Sequence, residues 1–421
     1  MTHRRSLAEH LDPKAGPKRL LALDGGGIRG IFTLQYLKRL ETMLRERHGD
    51  PNLLLCDYFD LIGGTSTGSI IAAGLAIGKD VDFLINQYES LGYDIFKDET
   101  WWEELRSLPL PSLGGGAFRA ALKESLARLV SPVKGVFAPK FPKGPLEDEL
   151  ARHFRIPLGS DGLRTGLMIV SRRADTGSPW AMHNNPRGKY YDWPEGTTPN
   201  WIPNKDYLVS DLIAASAAAP TYFKPEEITV GIKPDGSPKV GVFVDGGISP
   251  FNNPALQLLM LATQSGYRFD WPMGEDNLLL VSVGTAFRPK LMTSSAGLPI
   301  KHAVTNLTAL MDDCDSLNRT ILQWLAHSPN SVAIDSEIGD LAPDRVGGKK
   351  HLTYLRYNVT LQERWMKEEL AIEKDDSYWE ALSHMDQPDN LEVLANLGQT
   401  AATSQLRPEH FPAHFDLAAP G

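Results

Sequence analysis

Two cysteines, Cys56 and Cys314, are all that the 421 residues contain, and they stand far apart in the chain. A disulfide framework and a cysteine-ligated zinc site are excluded by that count, and two reduced thiols are expected. Long apolar runs are missing too. The longest, Ile70 to Ile77 and Leu278 to Val283, fall well short of the ~20 residues of a membrane span. Behind Arg4 and Arg5 no run approaches the roughly 7–15 apolar residues of a signal core. Positive charge is scarce: 43 Lys and Arg against 52 Asp and Glu leave a net charge of −9. That is the reverse of the footprint of a protein that binds nucleic acid polymers. These absences predict a cytoplasmic protein whose membrane contact would be peripheral, at the inner face. Hydrophobic residues at 42% and charged residues at 23% exclude a disordered, collagen-like or coiled-coil chain.

What is there reads as α/β. The chain opens strand, turn, helix, strand, turn, helix: Arg19 to Leu23, then Asp24-Gly25-Gly26-Gly27, then a helical pattern over Ile31 to Arg47 with Leu34, Leu37, Leu40 and Leu44 on one face. Tyr58 to Ile62 is the second strand, Gly63 to Gly68 a tight turn, and Ser69 to Ile77 the second helix. This is the order of a parallel sheet with helices packed on it. Leu167 to Ser171, Val240 to Val244 and Leu278 to Val283 read as further strands, and Ser210 to Ala219 and Pro254 to Thr263 as helices. The expected organisation is a flexible leader over 1–17, a catalytic domain over 18–290, a mainly helical part packed on it over 291–406, and a loose tail over 407–421. Residues 94–145 look like a loop-rich excursion.

Three motifs carry chemistry. Gly64-Thr65-Ser66-Thr67-Gly68 is a G-x-S-x-G between an apolar strand and an apolar helix. Such an elbow holds a nucleophilic serine on a sharp turn, and the small Gly64 and Gly68 let strand and helix pass closely. Asp24-Gly25-Gly26-Gly27-Ile28-Arg29-Gly30 satisfies G-x-G-x-x-G through Gly25, Gly27 and Gly30. A dinucleotide reading needs an acidic residue near the end of the next strand. That strand instead ends in Gly63-Gly64. A phosphate-binding P-loop is excluded because no lysine follows at the required spacing. Beside a serine nucleophile, a run of bare backbone N–H groups makes an oxyanion hole. The third motif, Val242-Phe243-Val244-Asp245-Gly246-Gly247, puts an aspartate at the end of an apolar strand. A turn aspartate capping N–H groups is its ordinary reading. In an open α/β sheet, however, functional groups gather at the carboxyl ends of strands, so Ser66, the glycine run and Asp245 are expected on one edge. Of the histidines, His183 is the best placed for a triad, but it precedes Asp245. Only 63 residues precede Gly64, too few for the usual α/β-hydrolase sheet. A Ser–Asp dyad is chemically workable without a histidine.

Together the three motifs resemble the patatin-like phospholipases, as do Ala214 to Phe223 and Leu279 to Thr285. The likeness runs over about residues 18–290. It implies a three-layer α/β/α sandwich with a mostly parallel central sheet, and a serine acyl hydrolase acting on phospholipid or related acyl esters. It implies a Ser66 nucleophile, an Asp245 base, an oxyanion hole at Gly25, Gly26 and Gly27 near Arg29, and no metal or cofactor. Some bacterial members resemble effectors of anti-phage defence switched on by cyclic oligonucleotides, so such an activator is one expected partner. A non-catalytic lipid-binding or storage protein on the same fold is the other alternative. Trp101-Trp102 reads either as an interfacial pair on a lid or as core cover. Lys134, Lys140 and Lys143, with Val136, Phe137 and Phe141, read either as a contact for anionic lipid or as a solvated loop.

Overall fold

The computed structural model describes residues 4–96, 144–220, 222–289 and 299–418. Trp101-Trp102, the Lys134 to Lys143 group and most of the expected excursion lie outside the described residues. The first half of the chain runs α1 (Leu7–Leu11), β1 (Lys18–Leu23), α2 (Gly30–His48), α3 (Leu55–Tyr58), β2 (Leu61–Thr65), α4 (Thr67–Ala76), α5 (Val81–Phe96), α6 (Gly144–Phe154), β3 (Gly166–Arg173) and β4 (Ser178–His183). The second half adds α7 (Val209–Ala217), β5 (Glu226–Ile232), β6 (Pro238–Asp245), α8 (Ala255–Thr263), β7 (Leu278–Val283), α9 (Pro299–Leu325), β8 (Thr353–Tyr357), α10 (Glu363–Leu370), α11 (Asp376–Leu382) and α12 (Leu391–Gln405).

Five parallel strands, in the order β3-β2-β1-β7-β8, form the heart of the sheet. β1 and β7 are buried along their whole length, as strands covered on both faces must be, and this is why Leu20 to Leu23 and Leu278 to Val281 read as apolar runs. Successive side chains go to opposite faces. Leu21, Leu23, Ile62, Leu279 and Val281 join a core with α2, α4, α7 and α12. Leu20, Ala22, Leu61, Leu278 and Leu280 join a second core with α8, Leu11 of α1 and Leu322 of α9. The two cores, one on each face, make the expected three-layer sandwich.

β4 and β6 pair antiparallel with β3, β5 pairs antiparallel with β6, and β6 takes an unusual place. Along one edge of β3, Met168 to Arg173 pair with β4. On the other edge β2 pairs up to Val170, and from Ser171 onward the partner is β6. β2 and β6 therefore occupy one lane and run toward each other, with Thr65 beside Val170 and Asp245 beside Ser171.

Several sequence expectations shift. The second strand starts at Leu61 rather than Tyr58, because Leu55–Tyr58 is a helical turn. β8 lies inside the part expected to be mainly helical and extends the same sheet. Over their described residues, the stretches expected to be a flexible leader and a loose tail are anchored to the rest of the chain. Ser6 and Glu9 form a reciprocal capping box on α1. His10 is buried, with Nδ1 2.8 Å from Asp60 Oδ1. Phe411 and Phe415 are buried, and Arg47 donates to Phe411 O and pairs with Asp416. Asp60 is the knot at the amino end of the sheet. Arg5 lies 2.9 Å and Arg19 3.1 Å from its carboxylate, and the Arg19 N–H donates to it at 2.9 Å. Burial opposes its ionisation, yet Arg19, His10 and Lys18 together hold its carboxyl well below the usual range.

Asp60→Asn is expected to cost about 3–5 kcal/mol at pH 7, the usual cost of leaving buried cations without their partner. Because the folded pKa is depressed, Asp60 contributes its full stability above its unfolded value of about 3.9, and the contribution fades as pH falls below it. Urea unfolding of wild type and Asp60→Asn should show a constant gap from pH 8 to 5 that narrows below about pH 4.

Candidate active site

Ser66 sits between β2 and α4 with φ 54° and ψ −127°, a backbone region that costs a non-glycine residue about 1–3 kcal/mol. Its surroundings enforce that conformation. A Cβ on Gly64 would fall 2.1 Å from Gly68 O, and one on Gly68 would fall 2.3 Å from Leu23 O. Only glycines let α4 start this close to the ends of β2 and β1. The Ser66 backbone is pinned from both sides: its N–H donates to Ser216 Oγ at 2.8 Å, and its carbonyl accepts from Ser69 Oγ at 2.6 Å. Ser216 in turn donates to Val170 O at 2.6 Å.

Ser66 Oγ donates to Asp245 Oδ2 at 2.7 Å across 179 residues of chain. The shared lane of β2 and β6 brings them together. Asp245 reaches the edge because β6 descends onto it from beyond the end of β2, rather than as one more parallel strand. Gly246 completes the junction, for a Cβ there would meet Val170 O at 2.3 Å. Gly247 N–H donates to Asp245 Oδ1 at 2.6 Å, and Asp245 N–H to Ala218 O at 2.9 Å. Burial pushes the Asp245 carboxyl up to about 6, against the hydrogen bonds from Ser66 and Gly247 that favour its charged form.

The glycine run lies against the serine: a Cβ on Gly25 would be 3.0 Å from Ser66 Cβ. Its three carbonyls are all occupied. Gly25 O accepts from Thr285 Oγ1 at 3.2 Å and from Asn252 Nδ2 at 3.4 Å. Gly26 O accepts from Arg29 N at 3.2 Å and Arg29 Nε at 3.4 Å. Gly27 O accepts from the Tyr88 hydroxyl. The three amides, expected to act together, differ. Gly25 N–H donates to Asn252 O at 3.1 Å. Among the described residues Gly26 and Gly27 N–H have no acceptor. Gly27 takes φ +57°, a left-handed backbone that glycine adopts without strain. Arg29 braces the loop, and its Nη1 also donates to Ala286 O at 2.9 Å. Burial brings its pKa down to about 10, which leaves it charged at neutral pH.

Ser66, Asp245, Gly25, Gly26, Gly27, Arg29, Gly64 and Gly68 thus all fall in one place. His183 does not take part. From β4 it pairs with Met168 of β3, packs against Phe269 and Tyr267, and is pushed down to about 4 by burial. Residues that sequence reasoning missed are Ser216, Asn252, Thr285 and Tyr88. Ser216, in a stretch given no catalytic part, is the single hydroxyl in an alanine run. Thr285 follows β7 at the same edge as the other motifs, a signal that could have found it. Among the described residues no group of three His, Cys, Asp or Glu side chains could hold a metal ion, and no helix is long and apolar enough to cross a membrane.

The family model described as "Patatin-like phospholipase" matches residues 21–259. A "cGAMP-activated phospholipase" of Escherichia coli (strain TW11681) is 27% identical over 269 residues, 63% of this chain and 62% of that protein. A "cGAMP-activated phospholipase" of Vibrio cholerae is 29% identical over 247 residues, 59% of this chain and 57% of that protein. A "cUMP-AMP-activated phospholipase" of Escherichia coli is 33% identical over 143 residues, 29% of this chain and 42% of that protein. The match therefore spans less than two thirds of each relative. With the family model covering more than half of the sequence, the chain belongs to the patatin-like phospholipase family.

Proposed function

We propose that the protein is a serine acyl hydrolase that cleaves phospholipids or related acyl esters with a Ser66–Asp245 dyad. The observation that carries this reading is the 2.7 Å hydrogen bond from Ser66 Oγ to Asp245 Oδ2 at a strained strand-to-helix turn. Asp245 removes the hydroxyl proton as Oγ attacks the ester carbonyl carbon. The carbonyl π electrons move onto oxygen, and the Gly26 and Gly27 N–H groups meet that charge, with Gly25 and Arg29 holding the loop in place. Collapse expels the alcohol, which takes the proton from Asp245 and leaves an acyl-Ser66 ester. Asp245 then deprotonates a water, and its attack releases the fatty acid and restores Ser66. A base is most useful when its pKa lies near the working pH, and a value of about 6 keeps Asp245 mostly ionised at neutrality. The lipid substrate implies a peripheral meeting with a membrane surface.

A second reading is that hydrolysis waits for a cyclic oligonucleotide. Its support is the pair of relatives named as cGAMP-activated phospholipases. Hydrolysis measured with and without cyclic dinucleotides and trinucleotides separates a gated enzyme from a constitutive one. A folded protein whose Ser66 stays unlabelled by fluorophosphonate under all of these conditions would instead be a lipid-binding scaffold.

Ser66→Ala and Asp245→Asn are each expected to lower ester hydrolysis by at least about 10³-fold while the chain stays folded. Near-normal turnover by Asp245→Asn would remove the dyad. The kcat/KM of wild type should fall as pH drops through about 6, because protonated Asp245 cannot act as the base. Stability moves the other way. A folded pKa raised above the unfolded value stabilises fully below about 3.9 and loses that contribution as pH rises through the folded value. Asp245→Asn, which keeps an acceptor for Gly247 N–H, should therefore be about 1–3 kcal/mol more stable than wild type at pH 8. Thermal melts should show that gap closing between pH 6 and pH 4.

A further inference from the structure

The family match ends at residue 259, yet the glycine loop leans on residues far beyond it. Arg356 of β8 grips the carboxylate of Asp24, the residue just before the glycine run. Its Nη1 lies 2.9 Å from Asp24 Oδ1 and its Nη2 2.6 Å from Asp24 Oδ2. Both side chains are under a tenth exposed. The same guanidinium donates to Ser282 Oγ of β7 at 2.7 Å and reaches Asp315 Oδ1 of α9 at 3.4 Å. Asp315 accepts from Asn253 Nδ2 at 2.9 Å. Asn253 follows Asn252, whose backbone carbonyl takes the Gly25 N–H. One guanidinium thus ties together β1, β7, β8, α9 and the turn after Asp245.

Geometry and charge point the same way. A planar guanidinium holding both oxygens of a carboxylate fixes its orientation as well as its distance, which a single point charge does not. Asp24 N–H is itself fixed to Val283 O at 3.1 Å, so the carboxylate grip sets how the chain leaves β1 into Gly25. Asp24 is also a buried negative charge one residue from the loop that is to receive an oxyanion. The charged and titratable groups acting on this pair are Arg29, Asp315 and Tyr354. Of these, Arg29 directs hydrogen bonds to Gly26 O and Ala286 O, so Arg356 is the residue that directly neutralises Asp24.

We propose that Arg356 is a positioning residue for the oxyanion loop, acting through Asp24 to aim the Gly26 and Gly27 amides and to cancel a charge that would repel the transition state. The proposal rests on the serine hydrolase reading above and extends it to a residue outside the matched family segment.

The test compares wild type, Arg356→Met, Arg356→Lys, Asp24→Asn and the double variant Arg356→Met with Asp24→Asn. Hydrolysis of a soluble nitrophenyl ester and the rate of Ser66 labelling by a fluorophosphonate are both measured, with melting temperatures for every protein. Arg356→Met is expected to lose about 10- to 100-fold in kcat with KM within about twofold, since a misaimed loop weakens the transition state rather than substrate binding. Arg356→Lys should fall between it and wild type. The double variant should recover part of the lost rate, because asparagine removes the charge that Arg356 no longer cancels while the two-point grip stays lost. Loss of β8 packing alone would not be rescued in this way, so non-additivity of the pair is the specific readout. A folded Arg356→Met with wild-type kcat and labelling rate overturns the proposal, as does a double variant no faster than Arg356→Met. If wild type itself neither hydrolyses the ester nor labels at Ser66, the hydrolase reading falls and takes this assignment with it. If wild type is active and the variants match it, only the role of Arg356 falls.

Discussion

The site depends on how closely one helix passes the ends of two strands. α4 begins where Gly68 leaves no room for a Cβ against Leu23 O, and where Gly64 leaves none against Gly68 O. That approach bends the chain so sharply that Ser66 must take a positive φ, and it places the end of β1, with its glycine run, beside the serine. The strain at Ser66 is held by a hydrogen bond on either side of the residue, from Ser66 N–H to Ser216 and from Ser69 to the Ser66 carbonyl. Sterics come first here, and the alignment of hydroxyl, carboxylate and amides follows from them.

Two buried aspartates show how surroundings divide labour between identical side chains. Asp60 lies among Arg5, Arg19, His10 and Lys18, and its charge is locked in. Asp245 is equally buried, but the groups that hydrogen-bond its carboxylate are a hydroxyl and a backbone amide. Without a cation, burial dominates and the proton is held more tightly, at about 6. The first arrangement suits a structural knot, where a fixed charge ties the amino-terminal helix to the sheet. The second suits a group that must take and return protons.

Much of this was legible in the sequence, for identifiable reasons. The buried parallel strands read as apolar runs because both faces are covered. The elbow, the glycine run and Asp245 stood out because glycine and aspartate at strand ends break an apolar pattern. What the sequence hid was pairing at a distance. Nothing local in Pro238 to Asp245 says that β6 shares a lane with β2, so its direction was not readable. β8 is short, and its Arg356 reads as a surface charge until Asp24 appears opposite it. The leader and tail were misjudged because prolines and polar residues suggested loose chain. A few apolar side chains, Leu11, Phe411, Phe415 and Leu417, are nonetheless enough to anchor them. Gly25 was grouped with its neighbours because a run of glycines does not announce which amide is spoken for.

The meeting of β2 and β6 also sets an order in time. Ser66 and its aspartate are separated by 179 residues, and Asp24 and Arg356 by 332. At about 5–20 residues per second of synthesis, the ribosome takes roughly 10–40 seconds after making Ser66 to reach Asp245. Throughout that interval the elbow lacks the carboxylate that it faces in the folded chain. The glycine loop waits longer still for its arginine. On the proposed dyad, a nascent chain has no base for its serine until Asp245 has been made.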